Sequence, residues 1–226
     1  MRRWFGLICL VLIATAAPVR AQERLKVVAS FSILGDFVRN VGGTSVSVTT
    51  LVGPDSDAHV YSPTPADAKK IADARLIFIN GLGFEGWLPR LVKSAAGKAT
   101  VVTATSGIAP LTLGSDADPH AWQSVANAKI YVGNIRDALA AADPASAQAF
   151  RANAEAYLAK LEALDREVRD AIAKIPESRR KVISTHSAFG YFAAAYGVQF
   201  IAPVGVSTES EPSARDIAGI ITQVRA

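Results

Sequence analysis

Between residues 25 and 103 the chain alternates between two hydrophobic periods. Leu25-Lys26-Val27-Val28-Ala29 reads as a short strand. Ile33, Leu34, Phe37, Val38 and Val41 then recur at helical spacing, with Ser32 as the expected N-cap and Gly42-Gly43 as the stop. Val46 to Leu51 returns to strand-like alternation, so strand, helix and strand open a βαβ unit. Thr64-Pro65-Ala66-Asp67 predicts the next helix start, with a capping residue, a proline at the first helical position and an acid at the third. Arg75 to Asn80 has the continuous apolar character of a buried parallel strand. A helix over Trp87 to Ala96 and a strand over Ala99 to Val102 complete the alternation. The intervening Gly81-Leu82-Gly83-Phe84-Glu85-Gly86 loop lacks the G-x-G-x-x-G spacing, which sets a nucleotide site aside.

The longest periodic segment runs from Pro144 to Ile175, with Phe150, Ala154, Tyr157, Leu161, Leu164, Val168 and Ile172 three or four apart. At 1.5 Å per residue such a helix is roughly 45 Å long, more than one small domain is wide. It is therefore expected to join two lobes. Alanine and tyrosine in the stripe argue against a coiled coil. After Pro176 a second alternation begins: a strand over Lys181 to Thr185, a helix over Ser187 to Tyr196, a strand over Gln199 to Pro203, and a last helix capped by Ser213 and Asp216. A strand pair and two helices close little core, so the second lobe is expected to be incomplete and the native chain to continue. The predicted class is α/β, with a first lobe over 22–141, a joining helix over 142–177 and a partial second lobe over 178–226.

The first residues follow another pattern. Arg2 and Arg3 precede an apolar run from Trp4 to Ala17, and Val19 and Ala21 occupy the −3 and −1 positions of a cut after Ala21. This predicts a secretory signal peptide over 1–21. The run is shorter than the roughly 20 residues a membrane-spanning helix needs, so a soluble mature chain is expected. Cys9, the one cysteine, lies inside the run, badly placed for lipid anchoring, and its removal leaves no thiol and no disulfide. Of 24 basic residues, Arg2, Arg3 and Arg20 leave with the peptide, so 21 face 20 acids. That balance argues against nucleic acid or a membrane surface as partner. A cysteine-free exported protein is compatible with a bacterial periplasm.

The chemistry rests on three histidines among 226 residues. His59 follows the second strand, His120 precedes a helix and His186 follows the strand that begins the second lobe. In open α/β sheets ligands bind beyond the carboxyl ends of strands, so the three share a topological address. Neutral imidazoles suit zinc and related ions, and three of them with one carboxylate would fill a tetrahedral shell. Asp57 and Asp118 each stand two residues before a histidine, where a carboxylate can accept the far ring N–H and fix the tautomer, or serve as an ordinary loop acid. Tyr61, Trp122, Phe189, Tyr191 and Phe192 are candidates to wall a cleft, with core packing as the alternative for each.

Six segments carry a resemblance: Ala29-Ser30-Phe31-Ser32-Ile33-Leu34-Gly35-Asp36, His59-Val60-Tyr61-Ser62-Pro63-Thr64-Pro65, Asn80-Gly81-Leu82-Gly83-Phe84-Glu85, Asp118-Pro119-His120-Ala121-Trp122, Thr185-His186-Ser187-Ala188-Phe189-Gly190-Tyr191-Phe192 and Glu211-Pro212-Ser213-Ala214. In that order they resemble the periplasmic zinc- and manganese-binding solute-binding proteins of bacterial ABC transporters, the family called cluster A-I or cluster 9. The resemblance implies two Rossmann-like lobes joined by one long helix, with metal held between them. It carries three ligand positions onto His59, His120 and His186. The family's fourth ligand, usually a later aspartate, has no counterpart here, and Glu209 and Glu211 read as a loop acid and a helix-start acid. Relatives with glutamate at the third position are often associated with manganese, so His186 favours zinc. The long histidine-rich loop of many zinc-specific members is absent, with only Thr112 to Asp118 in its place, which pulls the other way. Zinc is expected first and manganese next.

The resulting expectation is a non-enzymatic, monomeric carrier that captures a divalent metal ion and delivers it to a membrane permease. A zinc hydrolase is the alternative, since three histidines with an open position can activate water. No H-E-x-x-H pair or G-x-S-x-G elbow supports an enzyme. A metal-binding adhesin on the same fold is a third reading. Because ligand histidines must be neutral, metal affinity is expected to fall steeply below about pH 6.5.

Overall fold

The computed structural model describes residues 23–95, 97–209 and 211–225, so the signal-peptide reading of 1–21 lies outside the described residues. The chain opens with β1 (Leu25–Phe31), α1 (Ser32–Gly42), β2 (Val46–Val52), α2 (Pro65–Asp73), β3 (Leu76–Ile79), α3 (Leu88–Ala95) and β4 (Thr100–Thr103). The four strands form one parallel sheet in the order β2-β1-β3-β4. The chain moves from β1 to one side and then returns to the other. The crevice beyond β1 and β3 is therefore a topological switch point, the place where open sheets bind ligands.

Val27, Val28 and Ala29 of β1 and Leu76, Ile77 and Phe78 of β3 are all buried, as strands covered on both faces must be. The α1 face chosen by periodicity, Leu34, Phe37, Val38 and Val41, is buried against them. The expected Ser32 cap is corrected: the helix starts at Ser32, Phe31 is extended before it, and no side chain caps the end. Gly43 ends α1 at φ 55°, a left-handed conformation that favours glycine. At α2 the expectation holds: Thr64 Oγ1 accepts the Asp67 N–H, and the Asp67 carboxylate accepts the Thr64 N–H at 2.8 Å.

A short antiparallel hairpin, β5 (Thr112–Leu113) and β6 (Asp116–Ala117), leads into α4 (Val125–Ala142) and α5 (Ala147–Ala173). With 27 residues, α5 is about 40 Å long, and Pro144–Ser146 is a separate 3-10 turn rather than its first turn. Its apolar stripe is unevenly used. Phe150, Ala154 and Leu161 are buried, where the helix packs on α1 and α4. Leu164 is 45% exposed, and farther along Val168 and Ile172 are only partly buried.

A second unit comprises β7 (Lys181–Ile183), α6 (Gly190–Tyr196), β8 (Gln199–Ile201) and α7 (Ala214–Arg225), with β7 and β8 parallel. β7 stops before the predicted Thr185, and His186 instead makes an isolated parallel bridge with Val204. The far end of α5 meets this unit through Asp165, which accepts the Tyr196 hydroxyl at 2.8 Å, and through Arg169, which donates to the Ala195 carbonyl. The arrangement is a mixed α/β fold with a parallel sheet and one long helix. Among the described residues no helix is long and apolar enough to cross a membrane.

Candidate metal centre

The loop after β2 carries His59 and is pinned along its length. Asp57 Oδ1 accepts the His59 N–H at 2.9 Å, the turn that aspartate two residues upstream forms readily. Trp87 Nε1–H donates to the Ala58 carbonyl at 2.8 Å. The Tyr61 hydroxyl donates to Asp67 Oδ2 at 2.8 Å, fastening the loop to the start of α2. Burial raises the Asp67 pKa, but donors from Lys70, Thr64 and Tyr61 outweigh it and hold the carboxyl well below its usual range.

His120 is fixed more tightly. Asp118 Oδ1 accepts both the His120 N–H, at 2.9 Å, and the ring at Nδ1, at 2.8 Å. With a proton on Nδ1 donated to this carboxylate, the lone pair is left on Nε2. Asn80, at the end of β3, donates from Nδ2 to the Pro119 carbonyl at 2.8 Å and sets the height of this turn. Glu85, buried below it, accepts the Ser30 hydroxyl and the N–H groups of Asn80 and Gly81. Burial pushes its pKa up in spite of these donors. Gly81 sits at φ 87°, and a Cβ there would lie 2.6 Å from Thr103 Cγ2, so the glycine-rich loop is a tight turn that delivers Phe84 and Glu85.

His186 comes from the second unit, where the Ser187 N–H donates to the Val204 and Gly205 carbonyls and the Ser184 hydroxyl to the His186 carbonyl. The three rings converge. His120 Nε2 lies 3.1 Å from His59 Nε2 and 3.2 Å from His186 Nε2, and the three ligand atoms all fall within 4.8 Å of one another. Edges of that length suit nitrogen atoms about 2.0 Å from one common centre in a tetrahedral shell. Among the described residues the cluster contains three histidines and no carboxylate.

The surroundings keep two of these rings neutral. Burial, then the neighbouring His120, lowers the His59 pKa to about 4, against weaker opposition from Asp57. Burial and His120 lower that of His186 as well. The walls are aromatic: the Phe84 ring centroid is 4.7 Å from His59, and Trp122 is 5.3 Å from His120. Trp122 Nε1 is buried with no hydrogen-bond partner among the described residues. The cleft encloses about 520 Å³ and is lined on one side by Asp57, His59, Phe84, His120 and Trp122 and on the other by His186, Phe189 and Thr208.

Several expected residues take other places. Tyr61 does not line the cleft; its ring stands against Trp87 at 5.0 Å and its hydroxyl serves Asp67. Asp57 accepts a backbone N–H and the Thr208 hydroxyl rather than a ring N–H, the loop-acid role that was its other reading. Tyr191 and Phe192 follow the packing alternative: Tyr191 is buried with its hydroxyl on the Asp118 carbonyl, and Phe192 packs on Tyr196. Phe84, Asn80 and Thr208 were missed. Phe84 and Asn80 lie in the Asn80 to Glu85 segment, but a phenylalanine beside glycines and an asparagine after a strand carry no signal of which cleft they serve.

Comparisons with known proteins agree with the geometry. Residues 27–226 match the family described as zinc-uptake complex component A, periplasmic. The chain belongs to this family. It is 36% identical over 230 aligned residues to the manganese-binding lipoprotein MntA of Halalkalibacterium halodurans, covering 98% of this chain and 77% of that one. It is 34% identical to the iron-binding protein YfeA of Yersinia pestis, covering 95% and 72%. Its fold matches the periplasmic zinc-binding protein TroA of Treponema pallidum with a TM-score of 0.85 at 31% identity, covering 89% and 74%. The family is described as a component of zinc uptake and these relatives as metal-binding proteins, not as enzymes, which gives the hydrolase reading no support.

Proposed function

We propose that this protein captures one divalent transition metal ion outside the cytoplasm, through His59, His120 and His186, and delivers it to the permease of an ABC transporter. The observation that carries this reading is the convergence of three imidazole Nε2 atoms from two structural units on one point. The lobe division at residues 141 and 177 belongs to the same proposal, as does action as an exported monomer in the periplasm. The neutral rings of His59 and His186 are ready to coordinate without first losing a proton.

Zinc is favoured over manganese because the three donors are nitrogen and none is a carboxylate. The names of relatives support both metals, and iron as well. An octahedral shell with somewhat longer bonds would have edges of similar length, so spacing alone does not choose. The test is elemental analysis of the purified protein followed by competition between zinc and manganese. The expected result is one zinc per chain, retained against manganese in excess and lost in His120→Ala. A protein that holds no metal, or a His120→Ala variant that keeps a full equivalent, would overturn the reading.

A further inference from the structure

The aspartates that precede His59 and His120 are each held from across the cleft. Thr208, in the loop after β8, donates its hydroxyl to Asp57 Oδ2 at 2.6 Å, while Asp57 Oδ1 holds the His59 N–H at 2.9 Å. Tyr191, in the first turn of α6, donates its hydroxyl to the Asp118 carbonyl at 2.8 Å and accepts the Leu111 N–H at 3.0 Å. Beside it α6 approaches so closely that a Cβ on Gly190 would lie 2.6 Å from Asp118 Oδ2. Asp118 Oδ1 is the atom that orients the His120 ring.

We infer that Thr208 and Tyr191 are positioning residues that couple docking of the second unit to the orientation of His59 and His120, and so set how fast bound metal leaves. The inference rests on the metal-binding reading above. Neither side chain is among the three converging ligands, and each acts through an aspartate. The metal and the two clasps share one requirement. A metal joining His59 and His120 to His186 holds the units together, and the same closure makes the Thr208–Asp57 and Tyr191–Asp118 hydrogen bonds. By linkage, whatever stabilises the closed arrangement raises metal affinity, and whatever opens it lowers affinity by the same factor. Separation of the units would release both aspartates at once, leaving the His59 turn and the Asp118–His120 pair without their outer supports.

The test follows release of zinc from the loaded full chain into excess chelator by stopped flow. Thr208→Val and Tyr191→Phe should each release zinc about tenfold faster, the effect of one lost hydrogen bond to a buried or charged group, with association within about twofold of wild type. Thr208→Ser, which restores the hydroxyl, should return to the wild-type rate. Tyr157→Phe removes a hydroxyl that donates to Asp36 at 3.3 Å, where α5 packs on α1 and not on the second unit, and should leave release unchanged. The visible spectrum of the cobalt-loaded variants should match wild type, since the ligands are intact. Wild-type release rates in both Thr208→Val and Tyr191→Phe, or equal acceleration in Tyr157→Phe, would overturn the inference. Uptake of zinc by the wild type is read in the same experiment, so a failure of the clasps is distinguishable from a failure to bind metal.

Discussion

Asp57-Ala58-His59 and Asp118-Pro119-His120 begin alike: in each, the aspartate Oδ1 accepts the N–H of the histidine two residues on, at 2.9 Å. They then diverge. Asp118 uses that same oxygen to take the ring Nδ1 of His120 at 2.8 Å, whereas Asp57 turns its other oxygen outward to Thr208 at 2.6 Å. Burial distinguishes the carboxylates as well, since Asp118 is 4% exposed and Asp57 belongs to an exposed loop. One turn chemistry therefore serves two purposes. At His120 the carboxylate acts on the ring and fixes its tautomer; at His59 it acts on the backbone and on the opposing unit. An Asp-x-His spacing specifies the turn, and the surroundings decide what the second bond does.

The comparison is broken most strongly at Asp118. Asp118→Asn keeps the size and the turn but removes the charge behind the His120 ring. It should cost about 10- to 100-fold in zinc affinity by calorimetry, the usual effect of losing a carboxylate behind a ligand histidine. If the two aspartates were equivalent, Asp57→Asn would cost the same.

The next effect is in pH. Three imidazoles with the ordinary pKa of about 6.5 would lose roughly a thousandfold in metal affinity between about pH 7.5 and 5.5. With its pKa at about 4, His59 contributes none of that loss, and the depressed His186 contributes less than its share. The fall should be smaller than that, so the steep decline expected below 6.5 moves to lower pH. The metal-free protein carries the complementary signature. A histidine whose pKa is lower folded than unfolded contributes stability that is complete above about 6.5 and lost as pH falls toward about 4. Chemical denaturation of the metal-free chain across that window should show the decline, and a flat profile would contradict the burial of His59.

The smallest effect belongs to Asp57→Asn. Its amide oxygen can still accept the His59 N–H and its amide nitrogen can face the Thr208 hydroxyl, so equilibrium affinity should change by only about threefold. A loss as large as that of Asp118→Asn would erase the distinction between the two turns.

Much of this site was legible in the sequence because each histidine sits beside a strand end or helix start that local pattern identifies. The alternation around β1, α1 and β2, the capping box at Thr64 and the length of α5 were readable for the same reason, since each depends on neighbours within a few residues. What escaped depends on distant partners. Tyr61 looked like a cleft residue but turns to Asp67, and Thr208 meets Asp57 across 151 positions. The α5 stripe is uniform in sequence yet fully buried only at Phe150, Ala154 and Leu161, where α1 and α4 cover it, while Leu164 is exposed and Val168 and Ile172 are partly buried. Ser32 has the right chemistry for a cap, but the strand runs directly into the helix and leaves that position to Phe31.

The central claim is that three imidazoles from both units hold one metal ion. X-ray absorption at the zinc edge of the singly loaded protein tests it most directly. The account predicts three imidazole ligands with nitrogen atoms at about 2.0 Å, falling to two in His186→Ala. A zinc shell with one imidazole or none, or one unchanged by His186→Ala, would contradict it.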